Sequence, residues 1–421
     1  MLASRLSRIL PPATAAAIAV STLALTGPAA AEPATSPAAA GGQSADCPYR
    51  VWPAPAVDES EVVAPGEASP TALAVPDEPV GGARLGECGV VADPAAGPLP
   101  AGLNSQGWLI ADLESGDVIA AKDPHGRFRP ASTIKVLLAI LALEHLDLDA
   151  KVEVTANDWS MEGDACGVGP GGQYTVRDMV TGLLIVSGND CANALARQLG
   201  GYRETLDLMN ARARELGALD TRAATPSGLD AAGMSSSPYD LAVLFREAMR
   251  HPTFREVMAM RGYDFPGYPA RKDVPGDVDH PGYWMDTSNP LLRDGYPGML
   301  GGKTGYTDDA LKTFVGAAER DGRKVLIVQM YGLTTEGNTY ADQAARMFDY
   351  GFAAPAGISV GSLAAADGSD VSPYAEKPQP QAAHNQESSG STWVTVGSVI
   401  AILAAALLAA IAVRMLRRRR G

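Results

Sequence analysis

The strongest constraint on the fold is where the strand-forming segments fall. Residues 108–113 and 118–121 read as two strands joined by a turn at 114–117, and the next strand-like sequence lies around Lys303. Two more runs follow at 313–318 and 324–330, joined at Asp321-Gly322, a dipeptide suited to a hairpin turn. Between roughly 145 and 260 the pattern is helical and loop-like, including 202–216 and 238–250, and a helix at about 336–350 closes the domain. Strands at both ends with helices between them predict an α+β domain. Its five strands form one antiparallel sheet, flanked by segregated helices.

The chemistry-bearing residues sit at the joins of that pattern. Pro130-Ala131-Ser132-Thr133-Ile134-Lys135 runs into an unbroken stretch of helix formers, and proline suits a helix's first turn. Ser132 and Lys135, three apart, share one helix face. A serine hydroxyl needs a neighbour to take its proton, and a desolvated lysine can do so. Ser187-Gly188-Asn189 follows an apolar run and precedes a helical stretch, while Lys303-Thr304-Gly305 precedes strand-like sequence. Each of the three patterns occurs once. Taken singly, each has an ordinary structural reading: Ser132 as a helix cap, Asn189 or Asp190 as an N-cap, Lys303 in a turn. Their conjunction in this order carries the functional reading.

Ser-x-x-Lys, Ser-x-Asn and Lys-Thr-Gly together are the signature of penicillin-recognising serine enzymes. With residues 175–184 and Pro226-Ser227-Gly228-Leu229-Asp230, the chain resembles the serine D-alanyl-D-alanine carboxypeptidases, the low-molecular-mass penicillin-binding proteins, over about 105–353. The resemblance implies a sheet and a helical second lobe with the active site between them. It implies Ser132 as nucleophile toward stem peptides ending in D-Ala-D-Ala, with neutral Lys135 as general base. Ser187 would relay a proton to the leaving D-alanine and Asn189 would hold the substrate's backbone amide. A cationic Lys303 and Thr304 would hold the terminal carboxylate, and the backbone N–H groups of Ser132 and Tyr306, beside Gly305, would hold the oxyanion. β-Lactams would acylate the same serine. No cofactor or metal is implied, and the five histidines form no zinc-peptidase motif.

The flanks read as export and anchoring. Residues 1–31 resemble a secretory signal and 32–100 a Pro/Ala-rich arm too poor in apolar periodicity to fold alone. The catalytic domain is placed at 101–355 and a flexible linker at 356–392. Residues 393–413 form an uncharged apolar segment long enough to span a bilayer, followed by a basic tail at 414–421. The positive-inside rule then puts the C-terminus in the cytoplasm and the catalytic domain on the cell-wall face. A formal net charge of -14, more negative still on the exported part, argues against a nucleic-acid partner. In an oxidising compartment Cys47 with Cys88, and Cys166 with Cys191, are plausible disulfides, free thiols being the alternative.

Two other functions fit parts of this pattern. A β-lactamase on the same scaffold would carry a Glu-x-x-x-Asn between the second and third motifs, and none is present. A non-catalytic penicillin-sensing ectodomain would need a signalling domain, which an eight-residue tail does not supply.

Overall fold

The computed structural model describes residues 47–363. The signal at 1–31, the start of the arm, most of the linker, the segment 393–413 and the tail 414–421 lie outside the described residues. Among the described residues no helix is long and apolar enough to cross a membrane.

The main sheet contains β1 (Val90–Ala92), β2 (Gly107–Asp112), β3 (Asp117–Lys122), β4 (Met299–Thr307), β5 (Leu311–Arg320), β6 (Arg323–Gly332) and β7 (Gly361–Ser362). The order is β1-β3-β2-β6-β5-β4, with β7 also on β3, and all pairs are antiparallel. The five expected strands are β2 to β6, and the sheet is larger than expected by two. Val91 pairs with Ala121 and Gly361 with Val118, so β1 and β7 lie end to end along the outer edge of β3. They satisfy backbone groups that a bare edge would expose. With three and two residues, they are too short for a period-two pattern to show. Val360 and Leu363 are buried beside β7, so the folded domain extends into the stretch read as linker.

Alternation along the strands divides the core. Trp108, Ile110, Phe314 and Ile327 face one side, where helix Tyr340–Ala353 packs Met347 and Phe348 against them. Leu109, Ala111, Val315 and Leu326 face the other, beneath the helical lobe. Both faces are covered, which is why these strands read as nearly continuous apolar runs. The closing helix starts later than expected because Thr339 and Asp342 form a capping box.

The helical lobe contains α1 (Lys135–His145), α2 (Val176–Ile185), α3 (Asn189–Gln198), α4 (Tyr202–Glu215), α5 (Pro238–Ala248) and α6 (Pro252–Met258); the closing helix is α7. Residues 135–142 of α1 are all buried, as expected of a helix apolar all round. A two-stranded ribbon, Lys151–Val152 with Tyr174–Thr175, falls in the stretch read as helix and loop, and a second, Gly262–Phe265 with Tyr283–Asp286, lies just beyond it, before the strand at Lys303.

The arm is pinned to the domain. Arg127 donates to the carbonyls of Val51, Leu73 and Ala74 at 3.0, 2.7 and 2.8 Å, while its Nε pairs with Asp220 at 3.0 Å. Cys47 and Cys88 are bridged, with Cα atoms 5.5 Å apart. A segment without its own core is thus held to the domain by a buried guanidinium, while the disulfide closes a loop within the segment.

Candidate active site

Ser132 lies in a 3-10 turn, Ala131–Ile134, and α1 proper begins only at Lys135. Two hydroxyls, Thr133 Oγ1 at 2.6 Å and Thr313 Oγ1 at 2.9 Å, donate to the Pro130 carbonyl and tie the turn to β5. Ala131 takes a left-handed φ of 48°, a strained conformation for a residue with a Cβ. Gly228, at φ 86°, packs directly on it: a Cβ there would lie 2.0 Å from the Ala131 carbonyl oxygen. Gly228→Ala is therefore expected to destabilise the protein by about 2 kcal/mol or more, and to slow Ser132 acylation as the turn shifts. Urea unfolding checks the first and adduct formation the second; unchanged values in both would show that the turn yields freely.

Lys135 is fully buried; its Nζ lies 2.7 Å from Ser132 Oγ, and it donates to Asn189 Oδ1 at 2.7 Å and to the Ser227 carbonyl at 2.6 Å. Burial first, and the nearby Lys303 amine second, hold its pKa well below the ordinary lysine range; Asp164 and Asp190 oppose this more weakly. A neutral amine in contact with a serine hydroxyl can take its proton.

Among the described residues the Ser187 hydroxyl, which is buried, has no hydrogen-bond partner, and its backbone has φ 69°. Asn189, two residues on, ties Lys135 through Oδ1 and donates Nδ2 to the Glu162 carbonyl at 2.6 Å. Its first visible task is to fix the lysine, leaving one amide N–H for a substrate. Asp190, read from sequence as a cap, instead accepts backbone N–H groups from Cys166, Gly167 and Val168 at 2.8, 2.9 and 3.2 Å. The Cys166–Cys191 disulfide joins the same loop to α3.

Lys303, Thr304 and Gly305 lie on β4, the strand at one edge of the sheet. A Cβ on Gly305 would lie 2.3 Å from Thr313 Oγ1 and 2.9 Å from the Ser132 nitrogen. Only glycine lets the strand approach the nucleophile so closely. Thr304 Oγ1 meets Ser288 Oγ at 3.2 Å. The Tyr306 side chain points outward, its hydroxyl on Asp308, so its backbone is what it can offer the site. Lys303 differs from expectation. It is fully buried, donates to the Thr304 carbonyl at 2.7 Å and has no ion-pair partner among the described residues. Burial pulls its pKa down to about 7, so it is not a fixed cation in the free enzyme.

The eight residues singled out from sequence thus fall at three places: the nucleophile turn with the start of α1, the join between α2 and α3, and β4. Reading the sequence missed the Ser227 carbonyl, the Gly228 contact and Ser288. The first two lie in Pro226-Ser227-Gly228, whose Ser-Gly marks a turn without saying what the turn touches; Ser288 gave no signal.

A family model described as D-alanyl-D-alanine carboxypeptidase matches residues 95–334. A D-alanyl-D-alanine carboxypeptidase of Mycobacterium tuberculosis is 49% identical over 269 residues, covering 63% of this chain and 88% of that protein. One from Bacillus subtilis is 30% identical over 250 residues, covering 58% of this chain and 61% of the relative. Among solved structures, a penicillin-binding protein homologue from Mycobacterium tuberculosis superposes with a TM-score of 0.60 at 47% identity, over 65% of this chain and all of that one. A mutant of the Streptomyces K15 DD-transpeptidase gives 0.54 at 26% identity, over 60% of this chain and all of that one.

Proposed function

Since this chain belongs to the D-alanyl-D-alanine carboxypeptidase family, we propose that it releases the terminal D-alanine of peptidoglycan stem pentapeptides through an ester on Ser132. The activity is that of a serine-type DD-carboxypeptidase. The observation that carries the mechanism is the 2.7 Å contact between Ser132 Oγ and the buried Lys135 amine.

Lys135 takes the hydroxyl proton as Ser132 attacks the penultimate D-alanine carbonyl. The oxygen that becomes negative is held by the backbone N–H groups of Ser132 and Tyr306, brought together by the close approach at Gly305. Ser187, whose hydroxyl has no partner among the described residues, passes its proton to the departing amine and takes one from Lys135, which returns that amine to its neutral form. The terminal carboxylate sits against Thr304 and Lys303, and its charge draws Lys303 back to the cationic form. Water then cleaves the ester. A β-lactam enters the same path, but its leaving group stays tethered, so the adduct accumulates. Incubation with a pentapeptide should release one D-alanine per peptide; no release would sink the reading.

We further propose a membrane-anchored protein with its catalytic domain on the cell-wall face. The uncharged segment 393–413 and the arginines after it support this, as do two disulfides of the kind that persist outside the cytoplasm. Protease added to cells whose outer layers have been made permeable is expected to release an active fragment. A catalytic domain protected on the cytoplasmic side would reject this topology.

A further inference from the structure

The arm segment 54–61 lies outside the region matched by the family, yet it grips both sides of the catalytic cleft. Arg129, three residues before Ser132, is buried and donates to the Ala54 carbonyl at 2.8 Å and to Glu61 Oε1 at 2.5 Å. Asp309, two residues after Thr307 at the end of β4, accepts from the Val57 nitrogen at 2.5 Å and from Ser60 Oγ at 3.3 Å. Arg129 and Asp309 are themselves 3.8 Å apart. The segment therefore closes the gap between the nucleophile turn and the far end of β4.

The polarity of β4 says which end of a substrate lies there. With the terminal carboxylate at Thr304 and the nucleophile against Gly305, the acyl side of the peptide must run past Tyr306 toward Thr307. An extended chain advances about 3.3 Å per residue, so it reaches the arm after about two residues. An acyl group shorter than that ends before the arm. Val57 is 70% exposed, so its side chain is open to solvent rather than packed into the domain.

Resting on the carboxypeptidase reading, we propose that residues 54–61 form the acyl-side wall of the substrate cleft and select full-length stem peptides over short acyl-D-Ala-D-Ala substrates. The Cys47–Cys88 bridge spans this segment and keeps it seated.

The test compares kcat/KM for a stem pentapeptide and for N-acetyl-D-Ala-D-Ala, using the full chain. Ser60→Ala with Glu61→Ala frees the wall, and Val57→Trp adds bulk to it. Each is expected to lower kcat/KM for the pentapeptide about tenfold, with the acetylated dipeptide within about twofold of wild type. Loss of folding would depress both substrates together, whereas a wall changes their ratio. Val57 is exposed, so its variant remains informative if the double variant does not fold. A ratio unchanged in both variants, or an equal fall for both substrates, overturns the proposal. Wild-type enzyme that hydrolyses neither substrate would instead overturn the carboxypeptidase reading.

Discussion

Lys135→Ala is expected to lower the rate of Ser132 acylation by about three to four orders of magnitude while leaving the protein folded. Among the described residues Lys135 is the only side chain bonded to Ser132 Oγ, so no other group stands ready to take the proton. The substitution leaves Asn189 Oδ1 and the Ser227 carbonyl without their donor, which costs stability. It also removes a fully buried amine that the fold holds against its preference for charge, which offsets part of that cost. Penicillin adduct by intact mass and D-alanine release measure the rate, and circular dichroism checks the fold. Ser132→Ala should abolish the adduct. Lys135→Arg is the sharper variant, because a guanidinium fills much of the space yet cannot accept a proton at neutral pH. Activity of Lys135→Arg near wild type would end the general-base assignment.

How much of this was legible beforehand depends on the length of the signal. Strands β2, β3, β5 and β6 carry apolar runs long enough to be seen and β4 was placed around its Lys-Thr-Gly, and their positions at the two ends of the domain dictated the sheet. β1 and β7 were invisible because only the neighbouring edge of β3 makes those few residues extended. The catalytic trio was readable because each motif combines a reactive side chain with a local element that aims it. The Ser227 carbonyl and the Gly305 approach involve backbone atoms, whose partners are set by tertiary packing rather than residue type. The arm shows the same limit: its composition said that it could not fold alone, and nothing in it announced that Arg127 and Arg129 would hold it.

The charge state of Lys303 was the expectation that packing changed most. A lysine between glycine and threonine reads as an ordinary cation, but here burial brings its pKa to about 7, with Asp164 opposing the shift. Two consequences follow, with different signs. In the free enzyme the amine is cationic below about 7 and neutral above it, so capture of the substrate carboxylate weakens as pH rises through that value. The loss should appear in KM more than in kcat, since a bound carboxylate restores the charge. Lys303→Arg keeps a cation at all working pH and is expected to move the alkaline fall in kcat/KM upward, whatever the geometric cost of the larger head group. Stability runs the other way. An unfolded lysine titrates near about 10.4, so between about 7 and 10.4 the unfolded chain holds a proton that the folded chain has released. Unfolding free energy must therefore rise with pH across that window. The penalty for burying this amine is complete below it and absent above it. Lys303→Met removes the titrating group: kcat/KM should fall by about two to three orders of magnitude. Stability at neutral pH should increase, and this contribution to its pH slope should vanish. Urea unfolding of wild type and Lys303→Met at neutral pH and near pH 9.5 reads the slope directly, at about the pH values that bracket most of the window. Equal slopes in the two proteins, or an alkaline limb unmoved in Lys303→Arg, would mean that Lys303 stays charged in the free enzyme.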